Sequence, residues 1–122
     1  MPKKILVIDD ERDFINILTM RLKAAGYEIV SALDGRDGLE KARKTNPDLI
    51  ILDIMMPKMD GYEVCRLLKF DEKYKAIPII MLTAKTQDVD KAMGATVGVD
   101  DYMTKPFESD ELIKKVKSIL GK

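Results

Sequence analysis

The sequence predicts an α/β domain built on a doubly wound parallel sheet. Three observations carry that expectation. The runs Ile5-Leu6-Val7-Ile8, Leu49-Ile50-Ile51-Leu52 and Ile79-Ile80-Met81-Leu82 are apolar without a break. Unbroken apolarity means that both faces of a strand are covered, as in a parallel sheet between helix layers. The stretches between these runs shift to a helical period. Strand-like and helix-like segments also alternate strictly, which demands right-handed crossovers.

Taken in order, residues 5–8 are the first strand. Phe14, Ile15, Leu18, Leu22 and Ala25 then form one apolar stripe, closed by Gly26 just past the helix end. Residues 27–32 are β-rich but more polar, so this second strand belongs at an edge. A helix over 35–44 carries Leu39 and Ala42 and stops before Asn46-Pro47. Residues 49–52 are the third strand, and 61–70 a helix with Val64, Cys65 and Leu68 inward. After the fourth strand, 79–82, a helix over 88–97 has only a thin stripe of Val89, Ala92, Met93 and Val97. Gly94 inside it costs about 1 kcal/mol relative to Ala, and the β-branched Thr96 and Val97 weaken it further. Residues 101–104 are a short last strand. Leu112, Ile113, Val116, Ile119 and Leu120 form the best stripe, on a last helix that Glu108 or Ser109 begins. With the second strand at an edge, the (βα)5 pattern fits a flavodoxin-like three-layer sandwich with strand order 2-1-3-4-5.

The 122 residues suit one domain, 1–122, with no linker or repeat. Hydrophobic residues are 46% and charged residues 34%, as in ordinary globular protein. Twenty-one basic residues balance twenty-one acidic ones, so no global field draws the chain to nucleic acid or membrane. No apolar run approaches membrane-spanning length and no signal pattern opens the chain, so a reducing cytoplasm is expected. The single Cys65 reads as a small core residue. With no His, imidazole acid–base chemistry and most zinc sites are excluded.

In such a sheet, ligands bind at the carboxyl ends of the strands. Asp9-Asp10-Glu11 follow the first run, Asp53 the third, Thr83-Ala84 the fourth, and Lys105-Pro106-Phe107 the fifth. The strand order brings these ends together. Clustered carboxylates repel unless a cation lies between them. An all-oxygen set suits Mg²⁺, with Mn²⁺ an acceptable substitute. A carboxylate can also attack phosphorus, and a dication, an ammonium and a hydroxyl would then stabilise the phosphoryl oxygens. Read one at a time, the residues are blander: Asp9 and Asp10 serve equally well as helix N-caps, Thr83 as strand filler and Lys105 as a surface charge. Met55, Met56 and Met59 read as apolar filler, and Lys114, Lys115 and Lys117 as a solvated face.

Asp9-Asp10, Asp53 in Leu-Asp-Ile-Met-Met-Pro-Lys-Met-Asp-Gly, Thr83-Ala84 and Lys105-Pro-Phe resemble, in order and spacing, the motifs of two-component response-regulator receiver domains. The resemblance covers essentially the whole chain. It implies that Asp53 accepts a phosphoryl group from a histidine kinase. Asp10, Asp53 and the Met55 backbone carbonyl would bind Mg²⁺ directly, and Asp9 through water. Thr83 and Lys105 would bind phosphoryl oxygens, and Lys105-Pro106 would be a cis peptide. The domain would catalyse only its own phosphorylation and dephosphorylation.

The resemblance also implies a switch. Thr83 would move toward the phosphoryl group and Tyr102 would turn inward behind it. The face made by residues 88–97, the last strand and the last helix would carry the output to a partner or a C-terminal effector domain. Lys91, Asp100, Asp101, Glu111 and Lys115 resemble the charged set through which receivers of winged-helix regulators dimerise, although Met93 and Thr96 depart from it. The first helix near Phe14, Ile15 and Leu18 resembles the kinase-docking face. The alternative of the same class is a stand-alone phosphorelay intermediate or phosphate sink. Two other classes fit less well. A two-aspartate phosphatase needs Asp-x-Asp, and Asp53 is followed by Ile54-Met55. A flavin carrier needs a phosphate-binding loop where the acidic Asp9-Asp10-Glu11 stands.

Overall fold

The computed structural model describes residues 2–84 and 98–121. Its elements are β1 (Lys4–Ile8), α1 (Arg12–Ala24), β2 (Glu28–Ala32), α2 (Gly35–Thr45), β3 (Leu49–Asp53), α3 (Gly61–Lys69), β4 (Ile79–Ala84), β5 (Asp101–Lys105) and α4 (Ser109–Leu120). The five strands form one sheet in the order β2-β1-β3-β4-β5, and every pair is parallel. The flavodoxin-like α/β expectation therefore holds. The helix predicted over 88–97, with Val89, Ala92, Met93, Gly94, Thr96 and Val97, lies outside the described residues, as does Lys91.

Burial follows sequence polarity. β3 is buried along its whole length and β1 from its second residue onward. β2 is only partly covered until Ala32, as an edge strand should be. β5 forms the other edge, with Met103 alone buried. The alternation of side chains splits the core in two. On one face Ile5, Val7, Leu49, Ile51, Ile80 and Leu82 pack with Ile15, Leu18 and Leu22 of α1 and with Leu112 and Val116 of α4. On the other, Leu6, Ile8, Ile50, Leu52, Ile79 and Met81 pack with Leu39 and Ala42 of α2 and with Val64, Cys65 and Leu68 of α3. Cys65 is the core residue its context predicted, and burial pushes its thiol up to about 12.

Local signals explain most helix ends. Asp34 caps α2 by accepting from the Asp37 N–H at 2.7 Å, and Asp60 caps α3 by accepting from the Glu63 N–H at 2.9 Å. Gly26 (φ 99°) and Gly121 (φ 74°) take the left-handed turn after α1 and α4. No helix among the described residues is long and apolar enough to cross a membrane.

One lysine joins two loops below the sheet. Lys69, last residue of α3, donates to the Lys75 carbonyl at 3.1 Å and the Ile77 carbonyl at 2.8 Å. It also lies 2.8 Å from Asp100 Oδ2, which itself accepts from the Ile79 N–H at 2.8 Å. Replacing Lys69 with Met would strand two carbonyls and one carboxylate. Urea titration should show a loss of about 1–3 kcal/mol in unfolding free energy, the range expected for polar groups left without their donor.

Candidate functional site

Parallel pairing sets the site. Ile8 lies opposite Leu52, so the next residues, Asp9 and Asp53, emerge side by side. Asp53 in turn lies opposite Leu82, and Ala84 opposite Lys105. The carboxylate oxygens of Asp9, Asp10 and Asp53 come within 4.8 Å of one another. Asp9 is fully buried, Asp53 is 7% exposed, and Asp10 is open to solvent. The cluster faces a cleft of about 730 Å³ lined by Asp10, Glu11, Phe14, Asp53, Met55, Lys105, Pro106 and Phe107.

Lys105 enters the cluster from the end of β5. Its ammonium donates to Asp9 Oδ2 at 2.8 Å and lies 3.4 Å from Glu11 Oε1 and 3.6 Å from Asp53 Oδ1. The other Asp9 oxygen accepts from the Glu11 N–H at 2.9 Å, which fixes the turn before α1. Neither Asp9 nor Asp10 is the helix cap: that position is Glu11, and its side chain makes no capping bond. Lys105-Pro106 is cis, as the resemblance implied.

Four carboxylates against one ammonium leave this corner negative. Burial raises the Asp53 carboxyl most, Asp9 adds to it, Lys105 opposes it, and Asp10 and Glu11 add again; the result rises from 3.8 to about 6. For Lys105, burial alone would lower the ammonium. The bond to Asp9 and the charges of Asp53, Asp9 and Glu11 outweigh that, and its pKa rises. A buried acid held against its own charge is a place where a dication would be welcome. The donors fit a hard cation: all are oxygens, three carboxylates converge, and no softer ligand stands among them.

Other expected residues fall less neatly. Thr83 is buried at 3% exposure at the end of β4, and it does not line the cleft. Tyr102 packs partly buried against the α2–α3 core. Met56 is buried and Met59 packs on the core, but Met55 is 63% exposed on the cleft rim and is not filler. Ile15 and Leu18 point into the core, so they cannot be docking contacts. The exposed apolar residues of α1 are Ile17 and Met20.

Of the charged set proposed for dimerisation, Asp100 is held by Lys69 and Asp101 by Lys115 at 3.0 Å. Lys115 is thus paired, unlike the exposed Lys114 and Lys117. Glu111 is exposed. Sequence reading also missed three contributors. Glu11 reaches Lys105, and Phe14 lies beneath it with its ring centroid at 4.3 Å. Gly61 is the third: a side chain there would strike the Asp53 carbonyl and Ile54 Cα, both backbone. The Gly following Asp60, at the start of a helix, was the available signal.

The family model for the response regulator receiver domain matches residues 5–117. The chain belongs to that family. It is 48% identical over 120 residues to the alkaline phosphatase synthesis transcriptional regulatory protein PhoP of Bacillus subtilis (strain 168). That match takes in 98% of this chain and 49% of the relative, so the receiver spans about half of that protein's length. Chemotaxis protein CheY4 of Vibrio cholerae superposes with a TM-score of 0.92 at 36% identity, covering 98% of this chain and 99% of that one. The receiver domain of a sensor histidine kinase from Pseudomonas aeruginosa PAO1, solved with a magnesium ion in its active site cleft, superposes at 0.90 with 28% identity and full coverage of both chains.

The raised Asp53 makes the receiver's stability depend on pH. Folded, Asp53 keeps its proton up to about 6; unfolded, it releases it near 4. The folded state therefore binds the extra proton between those values, and stability falls as pH rises through the window. Metal-free Asp53→Asn should be more stable than the parent by about 2–3 kcal/mol at pH 7.5, with the gain vanishing below pH 4. Urea unfolding of both proteins in chelator across pH 4–8 checks this.

Proposed function

We propose that the 122 residues act as one receiver domain in which Asp53 accepts a phosphoryl group from a sensor histidine kinase. The observation that carries the reading is the meeting of Asp9, Asp10 and Asp53 with Lys105 beside one cleft, which Asp10, Asp53 and Lys105 line. An Asp53 oxygen attacks phosphorus, the P–N bond of the phosphohistidine breaks, and the electron pair leaves on the imidazole nitrogen. Lys105, 3.6 Å from Asp53 in the resting cleft, needs only a short shift to pair with a phosphoryl oxygen. Thr83 would donate its hydroxyl to another. Asp9, Asp10, Asp53 and the Met55 backbone carbonyl would hold Mg²⁺, with Mn²⁺ a substitute, and the dication would neutralise charge on the phosphoryl oxygens. Slow attack by water would return Asp53 to its free state, so the domain turns over only its own phosphoryl group.

The signal would leave through β5, α4 and the segment between β4 and β5. Tyr102, part-buried on the edge strand, would follow Thr83 inward, shifting an equilibrium between two packings. The output would be a partner or an effector domain, as the transcriptional role in the name of the Bacillus relative suggests. A second copy is a further candidate, but pairing through Lys91, Asp100, Asp101, Glu111 and Lys115 would exchange the internal Lys69–Asp100 and Lys115–Asp101 pairs for intermolecular ones. Such exposed pairs contribute about 0–1 kcal/mol each. The proposed setting is the cytoplasm, without direct nucleic-acid or membrane contact by this domain.

Incubation with acetyl phosphate and Mg²⁺ should add the mass of one phosphoryl group. The gain should disappear in Asp53→Asn and in chelator. An unmodified wild-type mass, or a modified Asp53→Asn, would refute the assignment. In thermal melts, Mg²⁺ should stabilise the protein at pH 7.5 and lose that effect by pH 4.5, because the ligands must be deprotonated to bind it.

A further inference from the structure

The Lys105 ammonium has a neighbour that is not an acid. Asp9, Glu11 and Asp53 lie at 2.8, 3.4 and 3.6 Å, and the Phe14 ring centroid at 4.3 Å. Phe14 stands in the first turn of α1, where it lines the cleft and also packs, part-buried, against the core beneath α1. Its ring is braced edge-on by Phe107, two residues beyond Lys105, with centroids 6.0 Å apart and planes at 86°. Two contacts therefore tie the start of α1 to the exit of β5: ring to ring, and ring to ammonium.

We propose that Phe14 is a positioning residue for Lys105, holding the ammonium inside the cleft against the outward pull of Glu11. The inference rests on the phosphoryl-accepting role proposed for Asp53. Three carboxylates compete for this cation, and Glu11, with its side chain 68% exposed, would draw it toward water. The ring face offers a fourth, uncharged attraction and shields one side of the ammonium from solvent. A cation over a ring can slide between anions without losing that contact. Lys105 can therefore pass from Asp9 to an oxygen on Asp53 while staying desolvated.

Phe14→Leu keeps an apolar side chain for packing and removes the ring face; Phe14→Tyr keeps the face. In metal-free protein, the Lys105 ε-methylene protons should show an upfield ring-current shift that Phe14→Leu abolishes and Phe14→Tyr retains. With Mg²⁺ present, Phe14→Leu should weaken beryllofluoride binding by about 3- to 10-fold, the scale of one partly desolvated cation–ring contact, and Phe14→Tyr should restore it. Unfolding midpoints measured beside these values separate lost positioning from lost folding. Unchanged Lys105 shifts in Phe14→Leu, or equal weakening in both variants, would overturn the positioning role. Wild-type protein that neither binds beryllofluoride nor takes up a phosphoryl group would overturn the Asp53 assignment itself, and the role of Phe14 with it.

Discussion

Negative charge gathered at one edge of the sheet is the constraint on which the rest of the structure turns. Asp9 is wholly buried and Asp53 nearly so, with Asp10 and Glu11 beside them. Burying carboxylates in such company costs free energy that water would otherwise supply. The chain tolerates it because β1 and β3 are central, parallel and clad on both faces, so their tips cannot splay apart. Asp9 is held from both sides, by the Glu11 N–H and by Lys105. The loop after Asp53 is pinned by the Ile54 N–H bond to the Leu82 carbonyl at 3.2 Å and by the Gly61 N–H bond to the Ile54 carbonyl at 3.0 Å. The rigidity of the scaffold is what makes the charge cluster persist.

The cation that answers those acids comes from an edge of the sheet. β5 is an edge strand with one buried residue, and Asp100 just before it accepts from the Ile79 N–H at the start of β4. Elements with little apolar burial are those that move at low cost. Lys105 and Tyr102 share that strand. The acid cluster is thereby joined to the β5 edge through a single five-residue strand.

Much of this was legible in the sequence because it depends on local pattern. The continuous runs at 5–8, 49–52 and 79–82 pointed to strands covered on both faces, and the polarity of 27–32 put it at an edge. Once strand order follows, the meeting of Asp9, Asp53 and Lys105 follows too. What escaped depends on side-chain reach and helix rotation. Phe14, Ile15 and Leu18 share a stripe, yet only Phe14 looks into the cleft while the other two enter the core. Met55 reads like its neighbour Met56, but one step along an irregular loop turns it outward. Asp34 and Asp60 carry the usual capping chemistry, each followed by a glycine, but an aspartate before a glycine reads equally well as a plain turn. Nothing local announces that Lys69 and Asp100, thirty-one positions apart, form an ion pair.

Lys69 and Lys105 are both part-buried, and they are held very differently. Lys69 spends its protons on two carbonyls and a carboxylate, all within 3.1 Å, and has no acceptor left to seek. Lys105 makes one short hydrogen bond, to Asp9; Glu11 is at the limit of bonding and Asp53 beyond it. An ammonium has three donors. A structural lysine in so acidic a pocket would have drawn its carboxylates close. Lys105 instead stands over the Phe14 ring with two of its acceptors at 3.4 and 3.6 Å, facing an aspartate whose own charge is resisted by its surroundings. That imbalance sets the two lysines apart: the acceptors of Lys69 all lie within 3.1 Å, whereas only one acceptor of Lys105 does.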